Sequence, residues 1–534
     1  MTCYGKKIER EYSWLIYFIA SLFILYFIYA PAIHIPFYHH DIYKFSFGEL
    51  GRSCHADVGY DFLYQIARPI SAILDCANFK IANSLEKMAY VRLFCILMMS
   101  FVMSLVAYFI YHRYFSFINA LLISGAIFCL PALQTTIIMG ATNLILAILF
   151  AWLAYLLIDR LSRAMSKKKV VITIMYALLL LLASFLTYPS LTPFFLMPTL
   201  LILLFTPLGE WQKTRLIVVR DTLLFCIGSL IFFGVAKYIQ SRHVNQVISG
   251  YQFKVTLDFA DRIKTLLLMW PSLWNIVTTK IQGYLFYIIL LFGCVSALKT
   301  FFNNESKTLQ SLFEAILLGL LIFILGSVVY LLQPGNWPAA RIIFIFQVMS
   351  VVLLVWAMMQ LSHVIKLKKN SYFLSLICSM FFIAAYDANA IMTQSALNDN
   401  MELNFITNKI AERLFSDKKP LRHIHIIASP NNNLTGYPTR DDIFNLNTTI
   451  FSGDVSYIIN SALLQLLPRD SYQLQNCVFD DNKEGHLQTL QCIRTAKRDK
   501  IVLTYSKPNQ AFPKSPNMLI VNMKWGQTRL IDLF

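Results

Sequence analysis

Charged residues are scarce in this 534-residue chain: they make up 14% of it, whereas 57% of the residues are hydrophobic and the mean hydropathy is +0.56. Soluble globular proteins usually contain about 25% charged residues, so the composition excludes an ordinary soluble protein. Glycine and proline are not abundant either, with 19 and 18 residues, which excludes a collagen-like or a proline-rich disordered chain. The composition is that of a polytopic membrane protein.

Acidic residues are the rarer of the two charge types, with 29 Asp and Glu against 46 Lys and Arg, for a net charge of +17. The segment from residue 396 onward carries 16 basic and 13 acidic residues, so most of the excess lies in the apolar part of the chain. There it falls mainly in short loops between apolar runs, as the positive-inside rule describes. We therefore expect membrane lipids as partners and no nucleic acid.

The apolar residues are gathered into runs long enough to cross a bilayer, which takes about 20 residues each. The predicted fold is a polytopic α-helical membrane protein with about 11 transmembrane helices. The last two runs of the first half, 170–187 and 190–206, are separated by almost no loop, so they form either a helical hairpin or one broken helix. The predicted runs are 13–33, 90–111, 115–133, 142–158, 170–187, 190–206, 222–240, 282–298, 311–332, 339–361 and 371–393.

The basic loops set the predicted orientation. They place the N-terminus in the cytoplasm and the long first loop, 34–89, outside. The first run shows no convincing cleavage site and is interpreted as an uncleaved anchor. Eleven crossings leave the C-terminal segment outside as well. We therefore divide the chain into a membrane body, 1–395, and an extracytoplasmic domain, 396–534.

The C-terminal segment predicts a small α/β domain. Strand-like runs lie at 423–428, 501–505 and 518–522, and a helix is predicted over 454–467. His423 and His425 alternate along the first of these strands. Such a pair is able to bind a metal, but we expect a solvated strand face and predict no metal site.

The ten cysteines agree with this division of the chain. Cys54 and Cys76 lie in the first outer loop, and Cys477 and Cys492 lie in the C-terminal segment. Both segments are predicted to be in an oxidising compartment, where disulfides persist. We predict the disulfides Cys54–Cys76 and Cys477–Cys492, with unpaired thiols as the alternative.

The first outer loop is too long for a simple connector and is the predicted site of chemistry. Asp41, Asp57 and Asp61 are its candidate catalytic residues. Asp41 follows the first helix directly, where partial desolvation raises a carboxylate pKa toward the range that suits a general base. The alternative is a set of solvated loop acids. His39 and His40 precede Asp41, but their spacing fits no standard metal site.

Arg68, Arg341 and Lys44 are the candidate residues for binding a lipid phosphate. Arg68 lies in a run of aromatic and apolar residues over 59–73 that predicts an interfacial helix, and its planar guanidinium suits a phosphate. An ion pair with Asp61 is the alternative for Arg68. Arg341 is a strong base at the outer end of a helix with a short loop, where a charge must snorkel, pair or bind a ligand.

These parts together resemble the GT-C superfamily of membrane glycosyltransferases, and more narrowly the phage-type O-antigen glucosyltransferase (serotype-conversion) family. The resemblance rests on His40-Asp41, Ala67-Arg68-Pro69, Thr187-Tyr188-Pro189-Ser190, and a last helix that continues through 385–414. Two departures stand out. His40 takes the place of the first of two acids in the family pattern, and Ala67 takes the place of a glycine before the arginine.

The resemblance implies transfer of a sugar, with glucose expected, from a polyprenyl-phosphate carrier to a lipid-linked glycan such as O-antigen lipopolysaccharide, on the periplasmic side of a bacterial inner membrane. Asp41 would then deprotonate the acceptor hydroxyl, while Arg68 or Arg341 stabilises the departing lipid phosphate. No cofactor is expected. The alternatives are a transporter or flippase for lipid-linked sugars, and an O-antigen polymerase or ligase.

Overall fold

A computed structural model of the chain describes residues 3–36, 63–64, 66–81, 87–161, 166–206, 210–242, 289, 291–295, 309–326, 344–364, 369–416, 421–427, 463, 466–467, 473–476, 500–506 and 518–522. The helices in these ranges are α1 (Cys3–His34), α2 (Pro69–Ile81), α3 (Met88–Arg113), α4 (Phe117–Phe128), α5 (Pro131–Met139), α6 (Thr142–Asp159), α7 (Lys167–Thr187), a 3₁₀ helix (Pro189–Leu196), α8 (Met197–Phe205), α9 (Trp211–Arg242), α10 (Leu309–Gly326), α11 (Phe344–Val364) and α12 (Lys369–Ser416). The strands are β1 (His423–Ile427), β2 (Gln473–Asn476), β3 (Lys500–Ser506) and β4 (Met518–Asn522).

Seven of the described helices are long and apolar enough to cross a membrane. The chain is thus a polytopic helical membrane protein, as its composition predicts. Each of the seven coincides with one of the predicted runs. They are Ser13–His34, Met88–Arg113, Thr142–Asp159, Lys167–Thr187, Trp211–Ile239, Phe344–Ser362 and Tyr372–Thr393.

The other predicted runs correspond to shorter pieces. Three of them match the apolar helical segments Phe117–Phe128, Pro189–Phe205 and Phe313–Gly326, and run 282–298 falls mostly outside the described residues. A total of eleven spans therefore stays a prediction.

A proline and a glycine bound a short helix, α5, that overlaps only the last three residues of the predicted run 115–133. Leu130 takes an extended conformation before Pro131, as a residue before proline prefers, and Pro131 begins α5. Gly140 ends α5 in the left-handed region with a φ of 62°, where only a residue without a side chain is unstrained. The chain thus makes a short helix, α5, between the longer helices α4 and α6.

The segment around Tyr188 is a helical hairpin and not one broken helix. Tyr188 is extended, with φ −151° and ψ 96°, and Pro189 begins the 3₁₀ helix directly after it. The hydroxyl oxygens of Ser184 and Thr192 lie 2.9 Å apart. Residues eight positions apart in a straight helix would be separated by about 12 Å, so the chain must reverse between these two residues.

Aromatic side chains fill the centre of the helical bundle. Trp152 of α6 lies edge-on to Phe109 of α3, with ring centroids 5.5 Å apart, and 5.7 Å from Phe194 of the 3₁₀ helix. Phe194 in turn stacks on Phe344 of α11. Aromatic pairs at these separations add to the free energy that burial supplies, so four segments distant in sequence share one core.

The last described helix, α12, is 48 residues long and continues without interruption past the end of its membrane span. The predicted extension of the final helix through 385–414 is confirmed, and the predicted domain boundary at 395/396 lies inside this helix. Asn389 donates a hydrogen bond to the Ile28 carbonyl of α1 at 2.9 Å, and Asn400 donates to the Pro36 carbonyl. Helix α12 therefore holds the end of α1, where the first loop begins.

The four strands form one parallel sheet in the order β2-β3-β1-β4. Three of them confirm the strands predicted from sequence, and β2 was not predicted. In the register of the sheet, His423 lies between Val502 and Met518. The predicted helix 454–467 falls largely outside the described residues.

The expectation of a solvated face for His423 and His425 is wrong, because both side chains are buried, as is Ile424 on the opposite face of β1. A strand in the middle of a parallel sheet is covered on both faces, and β1 occupies that position. Burial lowers the pKa of each histidine to about 4, with His423 adding to the effect at His425. Both rings are therefore neutral at physiological pH.

Candidate functional site

The ends of α1 and α5 and the start of α3 meet at one end of the helical bundle. The connection is made by Arg92, near the start of α3, whose side chain is 1% exposed. Its guanidinium donates to the carbonyl oxygen of Ala32 at 3.3 Å and to that of Ile138 at 3.2 Å. These carbonyls lie in the last turns of α1 and α5, which have no intrahelical donor for them. The end of α1, the start of α3 and the end of α5 are thereby joined.

A tight turn leads into α2 at this same end. The Ala67 amide donates to the Tyr64 carbonyl at 3.0 Å, and the Arg68 amide donates to the Leu63 carbonyl at 2.8 Å. Ala67 has a φ of 59°, a region that costs a residue with a Cβ atom about 1–2 kcal/mol. Helix α2 then begins at Pro69, a favoured residue for a first helical position.

This turn interrupts the interfacial helix predicted over residues 59–73. Leu63 and Tyr64 are helical before the turn at Ala67, and α2 begins after it at Pro69, while residues 59–62 and 65 lie outside the described residues. The apolar residues of this stretch also differ in their surroundings, because Leu63 is 7% exposed whereas Ile73 is 57% exposed.

Arg68 projects from this turn toward the hairpin between α7 and the 3₁₀ helix. Its guanidinium carbon lies 4.3 Å from the centre of the Tyr188 ring, within the range of a cation–π contact. Tyr188 is buried, whereas Arg68 is half-buried. The Tyr188 ring therefore covers one face of the guanidinium, while the Arg68 residue as a whole remains partly exposed.

Helix α2 carries a stripe of polar side chains that we name the α2 polar face: Ser71, Asp75 and Asn78. Ser71 and Asp75 are separated by one helical turn, so both reach the same neighbour, Asn143 at the start of α6. The Asn143 amide nitrogen lies 3.1 Å from the Ser71 hydroxyl oxygen and 3.3 Å from an Asp75 carboxyl oxygen. Asn78 donates to the Thr142 hydroxyl.

The orientation of the Asn143 amide is fixed by its own partners. Its oxygen accepts a hydrogen bond from the Leu144 amide at 2.9 Å, so its nitrogen must face α2. The Ser71 hydroxyl in turn donates a hydrogen bond to the Thr187 carbonyl at the end of α7. A chain of hydrogen bonds thus runs from Asp75 through Asn143 and Ser71 to the hairpin.

The polar side chains form two layers. Ser71, Thr142 and Asn143 are buried, with exposures between 0% and 5%. Arg68, Asp75 and Asn78 are half-buried and lie outside them. Buried polar groups that are themselves hydrogen-bonded hold their neighbours in fixed orientations, so the inner layer positions the outer one.

Asp75 supplies the carboxyl group among the residues named for this cluster, and its hydrogen-bonding capacity is only partly used. Among the described residues it accepts one hydrogen bond, the 3.3 Å contact from Asn143, whereas a carboxylate has about four acceptor positions. Helix α2 is not one of the seven candidate spans. Burial raises the pKa of Asp75 to about 7, although the charge of Arg68 acts in the opposite direction. The group therefore exchanges its proton near neutral pH.

The other end of the bundle holds ion pairs that connect helices. Arg113 of α3 pairs with Asp159 of α6. Fully buried Asp221 of α9 pairs with its neighbour Arg220 at 2.7 Å and accepts a hydrogen bond from Thr199 at 3.0 Å. These carboxylates are occupied by their partners and stabilise the packing of the helices.

The structure describes two of the predicted site residues, Arg68 and the cysteine Cys76. It places Arg68 on the turn before α2, against the Tyr188 ring and beside the α2 polar face. Cys76 is disulfide-bonded, and its pairing with Cys54 stays a prediction because Cys54 is outside the described residues. The remaining predicted residues lie outside the described residues too: Asp41, Asp57, Asp61, Lys44, Arg341, Cys477 and Cys492. In the described part of the chain, five cysteines are free thiols: Cys95, Cys129, Cys226, Cys294 and Cys378.

Sequence analysis missed Asp75, Asn143 and Arg92 as members of a site. A signal for the first was present, since Ser71, Asp75 and Asn78 have the spacing of one helical face in an otherwise apolar segment. Among the described residues, no group of three or more His, Cys, Asp or Glu side chains is placed to hold a metal ion.

Comparison with known proteins does not assign the chain to a family. No protein-family model matches the chain, and no curated protein or solved structure matches it significantly. A function must therefore be argued from the polar cluster itself.

Proposed function

We propose that the protein is a membrane glycosyltransferase of the GT-C type, which moves a sugar from a polyprenyl-phosphate carrier to a lipid-linked glycan. The observation that carries this proposal is the half-buried cation Arg68, supported by Tyr188 and adjacent to the α2 polar face at the end of a bundle of apolar helices. A lipid phosphate with an attached sugar presents one anionic and several hydroxyl groups at this depth, and the cluster offers a donor or acceptor for each.

The predicted catalytic acids are tied to this end of the bundle by the chain itself. Asp41 follows Pro36 by five residues, which span at most about 18 Å, and Asp61 precedes Leu63 by two residues, which span at most about 7 Å. Pro36 is held by Asn400, and Leu63 is held by the turn before Arg68. Asp61 is thus tethered close to Arg68, whose amide bonds to Leu63, whereas Asp41 is tethered to the end of α1.

In the proposed reaction, Asp41 accepts the proton of the acceptor hydroxyl as that oxygen attacks the anomeric carbon, with Asp57 and Asp61 as the alternative bases. The bond between the anomeric carbon and the phosphate oxygen breaks, and the lipid phosphate departs with its electron pair. Arg68, with Arg341 and Lys44 as further candidates, stabilises the charge on that phosphate. The transferred group is a hexose, with glucose expected.

We further propose that the site faces the periplasm of a bacterial inner membrane, with the N-terminus in the cytoplasm. The disulfide at Cys76 supports this orientation, because disulfides persist in oxidising compartments. The sheet β1–β4 is the basis for proposing a periplasmic α/β domain over 396–534, which positions the glycan acceptor. The membrane body is then 1–395, with eleven spans.

A transporter or flippase for lipid-linked sugars is the second candidate. Fully buried Asp221 favours it, because ionisable residues inside membrane helices often mark a transport path. The pairing of Asp221 with Arg220 and Thr199 favours a structural role instead.

The test is a transfer assay on purified full-length protein in proteoliposomes, with radiolabelled polyprenyl-phosphate glucose and an acceptor glycolipid. We expect label in the acceptor with the wild type, and none with Asp41→Asn or Arg68→Gln. Glu210→Gln is the matched control, because Glu210 is an exposed acid that precedes α9, remote in sequence from the cluster. Movement of labelled lipid across the bilayer without any labelled acceptor would refute the transferase and support the transporter.

A further inference from the structure

We infer that the α2 polar face, together with Asn143, is the sugar-binding part of a glycosyl-phosphate site whose phosphate-binding part is Arg68. This inference rests on the proposed function, and it adds the assignment of two neighbouring subsites with different chemistry. The ligand class is a hexose attached through its anomeric oxygen to a phosphate.

The arrangement of side chains separates the two subsites. Arg68 lies on the turn before α2 and has a tyrosine ring against its guanidinium. Asp75 lies two helical turns further along α2, about 10 Å away along the helix axis. A hexosyl phosphate has about this length, so its phosphate and its distal hydroxyls meet different groups.

The chemistry of the α2 polar face suits hydroxyl groups. Asp75 has acceptor positions that no described residue uses, and Asn78 is half-buried with an amide oxygen directed by its bond to Thr142. Carboxyl and amide groups form paired hydrogen bonds with adjacent hydroxyls, each of which is both donor and acceptor. An apolar ligand would leave these groups desolvated and unpaired, at a cost in affinity.

The buried inner layer of side chains fixes the orientation of the α2 polar face. Ser71 donates to the end of α7, and Asn143 at the start of α6 donates to both Ser71 and Asp75, so Asp75 is bonded to a side chain that is itself fixed. A cluster that served packing alone would place its carboxyl in the buried layer with a close cationic partner, as Asp221 does. Asp75 instead lies in the outer layer with one long hydrogen bond.

The inference is tested by binding measurements on purified full-length protein in detergent, with three probes: farnesyl phosphate, its glucosyl ester, and glucose 1-phosphate. We expect the wild type to bind the glucosyl ester more tightly than farnesyl phosphate. Asp75→Ala should weaken binding of the glucosyl ester by about 10- to 100-fold and leave farnesyl phosphate unchanged. Arg68→Gln should weaken both lipid probes. Asp75→Asn, which keeps the shape of the side chain, should give a smaller loss for the ester alone.

The glucose 1-phosphate probe distinguishes two ligands that share a glucosyl phosphate group, a lipid headgroup and a soluble sugar phosphate. Binding of the glucosyl ester without binding of glucose 1-phosphate assigns the site to a lipid headgroup, and equal binding of both assigns it to a soluble sugar phosphate; each supports the subsites. Equal weakening of both lipid probes by Asp75→Ala and Asp75→Asn, or no weakening of either, overturns them. If the Asp75 variants weaken binding of the glucosyl ester alone but the wild type transfers no glucose, the sugar subsite stands and the transferase is refuted. Failure of the subsite and failure of the proposed function are therefore distinguishable.

Discussion

Replacing Asp75 with asparagine should stabilise the protein at pH 8 and have a much smaller effect at pH 5. The folded protein holds the proton of Asp75 up to a pH of about 7, whereas an unfolded chain releases it near 3.8. The folded state therefore binds more protons than the unfolded state between these values, and stability falls as the pH rises through this interval. Above about pH 7 the loss is complete, and it does not grow further.

The size of the effect follows from the same two values. A change of pKa from 3.8 to about 7 corresponds to about 4 kcal/mol at about 1.4 kcal/mol for each pH unit, and this is an upper value. Because part of the loss has already occurred at pH 5, the difference between pH 5 and pH 8 is about 2–3 kcal/mol. Asparagine resembles the protonated acid in shape and never ionises, so Asp75→Asn avoids this cost.

The assay is thermal unfolding of both proteins in the same detergent, followed by intrinsic fluorescence at several pH values. The advantage of Asp75→Asn over the wild type should grow from pH 5 to pH 7 and then level off. Glu210→Gln removes an exposed carboxyl and should show no such growth. A melting difference between Asp75→Asn and the wild type that is the same at every pH would refute the assignment of a raised pKa to Asp75.

Three further outcomes are expected. Ala67→Gly should change stability by less than about 1 kcal/mol, because relief of the left-handed backbone strain offsets the lost methyl group and the added entropy of the unfolded chain. Ala67→Val should destabilise the protein by about 2 kcal/mol or more. Thermal melting of the two variants measures both effects. Arg92→Lys should destabilise by about 2 kcal/mol, since an ammonium group cannot match a planar guanidinium that serves carbonyls of two helices, and a wild-type melting temperature would contradict this. Peptide mapping without reduction should find Cys76 linked to Cys54, and a link to another cysteine would refute the predicted pair.

Hydropathy predicted the membrane helices well because lipid imposes a strong local rule, about 20 apolar residues for each crossing. Seven long helices coincide with predicted runs. The rule fails where backbone chemistry overrides composition. Pro131 begins a short helix that Gly140 ends, mostly beyond the predicted run 115–133, and the extended Tyr188 reverses the chain between the runs 170–187 and 190–206.

The polar cluster was only partly predictable, because its members come from distant parts of the chain. Arg68 was chosen from its own neighbourhood, and the spacing of Ser71 and Asp75 was visible in the sequence. Their partners were not, since Ser71 bonds to a residue 116 positions away and Asp75 to one 68 positions away. For the same reason, the alternation of His423 and His425 could not reveal burial, which depends on strands β3 and β4 far along the chain.

The unbroken helix α12 fixes the direction in which the chain leaves its C-terminal end. It contains neither proline nor glycine, and its 23 residues beyond Thr393 carry the helix about 35 Å further at 1.5 Å per residue. One inserted residue in that stretch would turn the following segment by about 100° while advancing it by only about 1.5 Å. The number of residues in this stretch therefore determines the direction in which the chain leaves the helix at Ser416.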